Sequence, residues 1–381
     1  MSAPWPKVRL GEVLVECREI PEPEGLVNGS MRIVSKISFD SGKIEVRQKA
    51  GTKTGMILVR PGDLLVSGIK AAKEATAIYG RENTEPVAAT IHYGAYGVDE
   101  DRADIRYLWW YLRSRPFREI LFEALPGGIK TEIKASCLLP IRVAIPTLSE
   151  QRRIVARIEE LAAKINEARK LRREATEEAA AFVSSLHINL ARGRTVRLNE
   201  ILTLDEIRQE VQLGRYYPRV GVKGFGQGLF ERETLEGAGT TYKAFNRLYD
   251  GAVVLSQVKG WEGAIAVCPS DLAGRFVSPE YRTFRCTPDK AIPEYLSILV
   301  GNPWFWRRLS DLTRGVGARR ERTRPEQFLR MELPMPSIEE QRFAIPIFTR
   351  FEQFKRLQAE TAAELDALLP SILDKAFKGE L

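Results

Sequence analysis

The sequence predicts an α/β (α+β) fold: two similar globular domains joined by two long antiparallel helices, which form a coiled-coil spacer with an approximate two-fold axis. Three observations lead there. Pro146-Thr147-Leu148-Ser149-Glu150-Gln151-Arg152-Arg153 returns as Pro336-Ser337-Ile338-Glu339-Glu340-Gln341-Arg342, 190 residues later in a chain of 381. Solenoid units repeat every ~20–50 residues, so this period marks a duplicated domain plus helix. The register also holds upstream: Gly62/Gly251, Ser67/Ser256 and Lys70/Lys259 are each 189 apart, and Tyr107/Tyr295 and Val8/Val196 are 188 apart. Finally, each repeated phrase opens a long heptad pattern. The resulting boundaries are a first domain over 1–147, a first spacer helix over 148–193, a second domain over 194–336 and a second spacer helix over 337–381.

In the first domain, Ile57-Leu58-Val59 and Leu64-Leu65-Val66 are apolar runs around the turn signal Pro61-Gly62-Asp63, which predicts paired strands. A helix is expected over Ile105–Phe122, then a break at Gly127-Gly128 and a strand over Ile141–Ile145. The second domain repeats this plan, with a strand at Val253–Leu255, a helix over Pro293–Leu309, and Gly315 and Gly317 as the break. In the spacers, Ile154, Ile158, Leu161, Ile165 and Ala168 alternate by four and three, as coiled-coil seams do, with a polar interruption at Arg172. The second seam runs from Ile347 to Ile372 and is interrupted at Gln358 and Thr361. Ser149 and Ser337 are the expected helix caps, followed by first-turn acids. Each helix should run about 35–40 residues, and the C-terminus should finish near the N-terminus.

Composition narrows the function classes. Hydrophobic residues make up 44% and net charge is +8, a globular chain that favours an anionic partner. Four cysteines stand apart at 17, 137, 268 and 286, without a CxxC pair and with only two histidines, so reduced buried thiols in a cytoplasmic protein are expected rather than a zinc site. No run approaches the ~18 apolar residues that span a bilayer, so no membrane partner is expected.

Two segments mimic catalytic motifs. Gly224-Phe225-Gly226-Gln227-Gly228 looks like a cofactor turn, and Asn302-Pro303-Trp304-Phe305 like a damaged adenine-methyltransferase motif. A cofactor turn needs a strand before it and a helix after it; Phe230-Glu231-Arg232-Glu233 carries no helical period, and Asn302-Pro303 reads better as the start of a short helix. Glu132-Ile133-Lys134 resembles the tail of a nuclease motif but has no paired aspartate at a suitable spacing, so a solvated loop is the better reading.

The two helix-start phrases, the ending Leu373-Asp374-Lys375-Ala376-Phe377-Lys378-Gly379-Glu380-Leu381, and the phrases Trp261-Glu262-Gly263-Ala264-Ile265 and Val277-Ser278-Pro279-Glu280-Tyr281 resemble the specificity subunit of type I restriction–modification systems. The first helix departs at its end, where Leu190-Ala191-Arg192-Gly193 stands in for Ala-Phe-Lys-Gly. The resemblance implies two target-recognition domains that each read half of a split sequence in double-stranded DNA. It implies two methylation subunits as partners and, where the system has them, restriction subunits. S-adenosylmethionine, Mg and ATP would sit on those partners, with no cofactor and no catalysis in this chain. The alternatives are a self-sufficient adenine-specific DNA methyltransferase and a coiled-coil adaptor with no DNA role.

DNA binding needs cations for phosphates and side chains that reach base edges. The densest basic run is Arg314, Arg319, Arg320, Arg322 and Arg324, in a segment whose glycines disfavour a helix; its counterpart holds Lys130, Thr131 and Lys134. A second candidate is the turn after the paired strands, Lys70 and Lys73 in the first domain and Lys259 and Trp261 in the second, although tryptophan is usually core. Tyr216, Tyr217, Arg219 and Lys223 form a third cluster.

If Arg319 and Arg320 hold phosphates, Arg319→Ala and Arg320→Ala should each weaken binding to all sequences alike and lower the salt slope by about one. If one of them reads guanine instead, its loss should cost roughly 1–3 kcal/mol on the cognate site and relax one position of the second domain's half-site. The measurement is a titration of cognate and scrambled duplexes at several salt concentrations. Unchanged affinity and slope for both variants would make this run a solvated face.

Overall fold

The protein is described by a computed structural model covering residues 5–38, 41–48, 55–69, 75–125, 132–313 (312 and 313 by backbone alone) and 322–381. It divides into two compact units: Met1–Lys170 with Thr361–Leu381, and Leu171–Glu360.

Each unit carries two larger sheets and a two-stranded one, Lys7–Arg9 with Arg142–Ala144 in unit one and Thr195–Arg197 with Glu332–Pro334 in unit two. In unit one, a four-stranded antiparallel sheet runs in the order Leu14–Cys17, Tyr93–Val98, Leu64–Ser67, Thr76–Ile78. The second sheet runs Ile44–Gln48, Arg32–Ile37, Val87–Thr90, Met56–Val59, with its middle pair parallel. Unit two repeats both. Its first sheet is Leu202–Leu204, Tyr281–Cys286, Val253–Ser256, Ile265–Val267. Its second is Leu229–Glu236, Tyr216–Val222, Phe276–Val277, Ala244–Arg247, again with a parallel pair inside, plus one further edge strand, Ile207–Glu210. The central strands Leu64–Ser67 and Val253–Ser256 are buried along their whole length, as strands covered on both faces must be. The matched glycines open them: Gly62 and Gly251 have φ of +98° and +75°, a conformation that a Cβ would strain.

The helix expected over Ile105–Phe122 is two helices, Ile105–Leu112 and Arg115–Ala124. Apolar periodicity carries across the junction, but Ser114 caps the second helix by accepting from the Phe117 N–H at 3.3 Å, and Pro116 has no N–H to continue the first. The expected Pro293–Leu309 helix divides likewise into Pro293–Val300 and Pro303–Thr313, with Asn302 Oδ1 accepting from the Trp304 N–H at 2.9 Å. In both units these helices pack on the first sheet and bury the aligned tyrosines, Tyr107 and Tyr295, completely.

The first spacer helix is one uninterrupted run, Leu148–Ala191. Its cap is Thr147 rather than Ser149, with Thr147 Oγ1 accepting from the Glu150 N–H at 3.4 Å. The second is interrupted, Ile338–Glu360 and then Ala362–Phe377. Ser337 caps it in a reciprocal box: the Ser337 N–H donates to Glu340 Oε2 at 2.7 Å and the Glu340 N–H to Ser337 Oγ at 3.4 Å. The two polar seam residues of unit two meet. Arg172 donates to Gln358 Oε1 at 3.1 Å and to the Gln358 carbonyl at 2.8 Å, one of the last-turn carbonyls that a helix end leaves unpaired. The pairing is antiparallel in each unit: Arg153 reaches the Leu381 carbonyl and Arg169 reaches Asp366 in unit one, while Phe182 packs on Phe351 beyond the Arg172–Gln358 layer in unit two. In unit one, Phe377 sets its ring edge-on to Tyr107 and Tyr111 at 5.5 and 5.0 Å, and a Cβ on Gly379 would touch Trp5, so the chain ends beside its beginning.

The repeated phrase has a physical role. Gln151 is completely buried; its Nε2 donates to the carbonyls of Pro146 and Arg102 at 2.8 and 3.0 Å, and its Oε1 accepts from the Asp104 N–H at 2.8 Å. Gln341 repeats every bond, to Pro336 at 2.9 Å, to Lys290 at 3.0 Å and from the Ile292 N–H at 3.0 Å. One amide thus joins the first turn of each spacer to the loop that leads into the helix Ile105–Leu112 in unit one and Pro293–Val300 in unit two. Among the cysteines, Cys268 and Cys286 are buried and Cys17 and Cys137 half-buried, so burial of the thiols is less complete than expected; desolvation pushes Cys268 up to about 11 and Cys286 to about 12.

Gln151→Leu should destabilise unit one by about 2–4 kcal/mol, because it leaves one buried and two part-buried backbone groups without these partners. Gln341→Leu should do the same in unit two, while the neighbouring exposed Arg152→Ala should stay within about 0.5 kcal/mol. Urea unfolding curves of the three variants check this.

His187 gives unit two a pH dependence. It is buried on the spacer, 2.6 Å from Tyr295 Oη through Nδ1, and desolvation pushes it down to about 4. The unfolded chain therefore binds the extra proton first. Stability is fully present above pH ~6.5 and falls by roughly 3 kcal/mol as pH drops toward ~4. His187→Asn should lose this part of the acid sensitivity, read as the difference between urea midpoints at pH 4.5 and 7.5.

Candidate nucleic-acid interface

In unit two, the central strand Val253–Ser256 runs out into a turn that carries Lys259 and the 3-10 segment Gly260–Glu262, closed by Gly263 at φ +67°. The chain after residue 321 is fastened to this turn by the Thr323 N–H, which donates to the Gln257 carbonyl at 2.8 Å. The approach is close: a Cβ on Gly260 would lie 2.2 Å from Thr323 Oγ1. The glycine loop Gly224–Gly228 docks on the other side, with the Phe225 and Gly226 N–H groups donating to the Glu262 and Gly263 carbonyls at 2.7 and 3.4 Å. Lys223, Lys259, Trp261 and Arg322 thereby share one edge of the unit.

These cations are lightly held. Lys259 lies 3.7 Å from Glu262 and Arg322 3.6 Å from Glu280, solvent-exposed pairs of the kind worth less than about 1 kcal/mol. Trp261 is 50% exposed, so it belongs to the surface rather than the core. Lys223 Nζ lies 5.8 Å from the Phe230 ring. The Tyr216–Lys223 cluster is divided. Lys223 sits at the loop end of its strand, whereas Tyr216 begins it, about 23 Å away at a strand's rise. Tyr217 is wholly buried and Arg219 donates to the Glu233 carbonyl across the hairpin.

Unit one builds the same joint. Gly68, at the end of its central strand, accepts at its carbonyl from the Ile133 N–H at 2.9 Å and donates its own N–H to the His92 carbonyl at 2.7 Å. Lys134 follows as the N-terminal flank of the short helix Ala135–Leu138. Lys70, Lys73, Lys130, Thr131, Arg314, Arg319 and Arg320 lie outside the described residues. Sequence reasoning missed His92, whose Nδ1 is 2.7 Å from Glu132 Oε1 at this edge. It also missed the contribution of the Gly224–Gly228 loop. Its glycines were the available signal, taken there as a look-alike of a cofactor turn.

Neither catalytic look-alike has the geometry of its motif. Gly224–Gly228 links two antiparallel strands, so no helix N-terminus follows to receive a phosphate. Asn302 is a helix cap, with its side chain engaged by the Trp304 N–H and by Ser184. Glu132 is taken by His92. Among the described residues, no three of His, Cys, Asp and Glu gather as a metal site requires, and no helix is long and apolar enough to cross a membrane. What the edge offers is exposed cations and an indole, side chains of the kind a nucleic-acid surface uses.

No known family profile matches the chain, and no curated protein matches it in sequence. Solved structures do. A chain from a study of complex assembly and conformational transition in a type I restriction–modification system is 22% identical, with a TM-score of 0.71 over 99% of this chain and 98% of that one. The HsdS subunit from Thermoanaerobacter tengcongensis is 23% identical, with a TM-score of 0.56 over 100% and 98%. The fold of two sheet-bearing domains with a helical spacer is therefore shared over essentially the whole length of both.

Proposed function

We propose that this chain is the DNA-specificity subunit of a type I restriction–modification complex. The observation that carries the reading is the duplicated joint. Each unit fastens the chain that follows its basic sequence run to the end of its central strand, on a fold shared end to end with an HsdS subunit. Each joint presents one reading edge, and the units differ in their loops, so the two edges read different words. The spacer helices and the domain flanks beside them dock two methylation subunits and, where present, restriction subunits. S-adenosylmethionine, Mg and ATP belong to those partners, and this chain contributes sequence choice and no bond-making chemistry.

Unlike readers joined by a spacer require a bipartite, non-palindromic target with an unread gap. The half-sites should lie about one helical turn apart, roughly 10 bp between centres, so that both face one side of the duplex. Binding-site selection with the assembled methylation complex tests this, and a single continuous recognition word would refute it. In the same preparations the purified chain should transfer no methyl group until a methylation subunit is added. S-adenosylmethionine binding and methyl transfer by the chain alone would establish the self-sufficient methyltransferase instead.

A further inference from the structure

Unit one contains a cleft of about 620 Å³, within the size range of ligand pockets. One wall is the helix Ile105–Leu112 and the start of the next; the others are the first spacer helix around Glu159–Arg169 and the last helix around Asp366–Leu373. Its lining is rich in hydrogen-bond donors and poor in acceptors. Trp110 is 6% exposed, and its indole Nε1 has no partner. Arg169 spends one Nη2 on Asp366 at 2.9 Å, yet its buried Nε also has no partner. Arg106 and Arg115 line the same cleft and are held by surface carboxylates, Glu159 and Glu119. Buried donors left unmet cost free energy that an incoming acceptor recovers.

The chemistry of those donors selects the ligand. A guanidinium presents its Nε and Nη donors as a planar fork that matches a carboxylate. The faces that would stack a nucleobase are taken: Arg113 lies 4.3 Å over the Trp109 ring, and a Cβ on Gly42 would come within 2.7 Å of that indole. A concave cleft of this size also excludes a duplex, which is convex. The duplicate cleft in unit two, about 670 Å³, sets Ser297, Ile298 and Gly301 where register places Trp109, Trp110 and Arg113. The donors are thus a property of unit one and not of the shared fold. We propose that this cleft docks an acidic peptide segment of a protein partner, with a carboxylate oxygen on Arg169 Nε, beside the Asp366 pair, and a second acceptor on Trp110 Nε1. The inference does not rest on the DNA reading.

The probe is fluorescein-labelled hexaglutamate, followed by anisotropy on the full chain, with hexaglutamine as the uncharged control. Hexaglutamate should bind and hexaglutamine should not. Trp110→Phe, which keeps one aromatic ring and removes the donor, and Arg169→Met should each weaken binding about tenfold, the scale of a hydrogen bond to a charged group. Lys355→Met, in the cleft of unit two, should leave it unchanged. Thermal melts confirm that each variant is folded, and Trp110→Phe keeps the test valid if Arg169→Met is not. Three results would overturn the proposal: no binding, equal binding by wild type and Trp110→Phe, or an equal loss in Lys355→Met, which marks general attraction to a basic protein. Duplex DNA that displaces the peptide and shows the same sensitivity to Trp110→Phe would assign the cleft to nucleic acid and overturn it as well.

Discussion

A single buried glutamine amide, used twice, is what the rest of the structure depends on. The side chains of Gln151 and Gln341 each satisfy two carbonyls and one N–H contributed by two separate loops. In a low-dielectric interior such bonds are directional and expensive to leave unmade. The angle at which each spacer helix leaves its domain is therefore set at its first turn, before any apolar seam contact is made. The seam then has only to continue a direction already chosen. This explains why the Glu-Gln-Arg phrase stands at both helix starts while the surrounding sequence differs: its glutamine needs the same three backbone partners in each unit.

Much of this was legible. The matched glycines at 62 and 251 announced the turn that opens each central strand, and the two seams announced an antiparallel helix pair. Arg172 and Gln358 stood out as polar breaks in apolar patterns, and they answer each other in space. Other features left no such trace. The junction at Ser114 hides inside continuous apolar periodicity, because its cause is a hydroxyl cap and a proline rather than a change of pattern. The true cap Thr147 lies two residues before the serine that looked suitable, because the glutamine contacts hold the first turn earlier. The joints at the candidate edges are least legible of all. Gly68 to Ile133 and Gln257 to Thr323 are main-chain bonds across more than sixty residues, and a main-chain bond carries no side-chain signature. The edge residues could be nominated by charge, but their convergence could not.

Duplication followed by divergence also shows in the electrostatics. The two units keep the same strand order and the same helix junctions, yet spend their charges differently. Unit one surrounds its cleft with arginines and indoles, whereas unit two places small and aliphatic residues at the corresponding positions and adds an edge strand to its second sheet. Backbone geometry was retained where packing demanded it, and side chains changed where only solvent or a partner was consulted.

The candidate edges owe their shape to amide and carbonyl groups: Phe225 to Glu262, Gly226 to Gly263, Thr323 to Gln257, Ile133 to Gly68. Side chains beside those bonds, such as Lys259, Trp261 and Arg322, are not structural members. Replacing them leaves the platform standing. Such an edge can acquire a new chemical preference by point substitution at little cost in stability, with only its glycines barred from change. The scaffold is in this sense a socket with interchangeable pins, and its evolvability is a direct product of where its hydrogen bonds were placed.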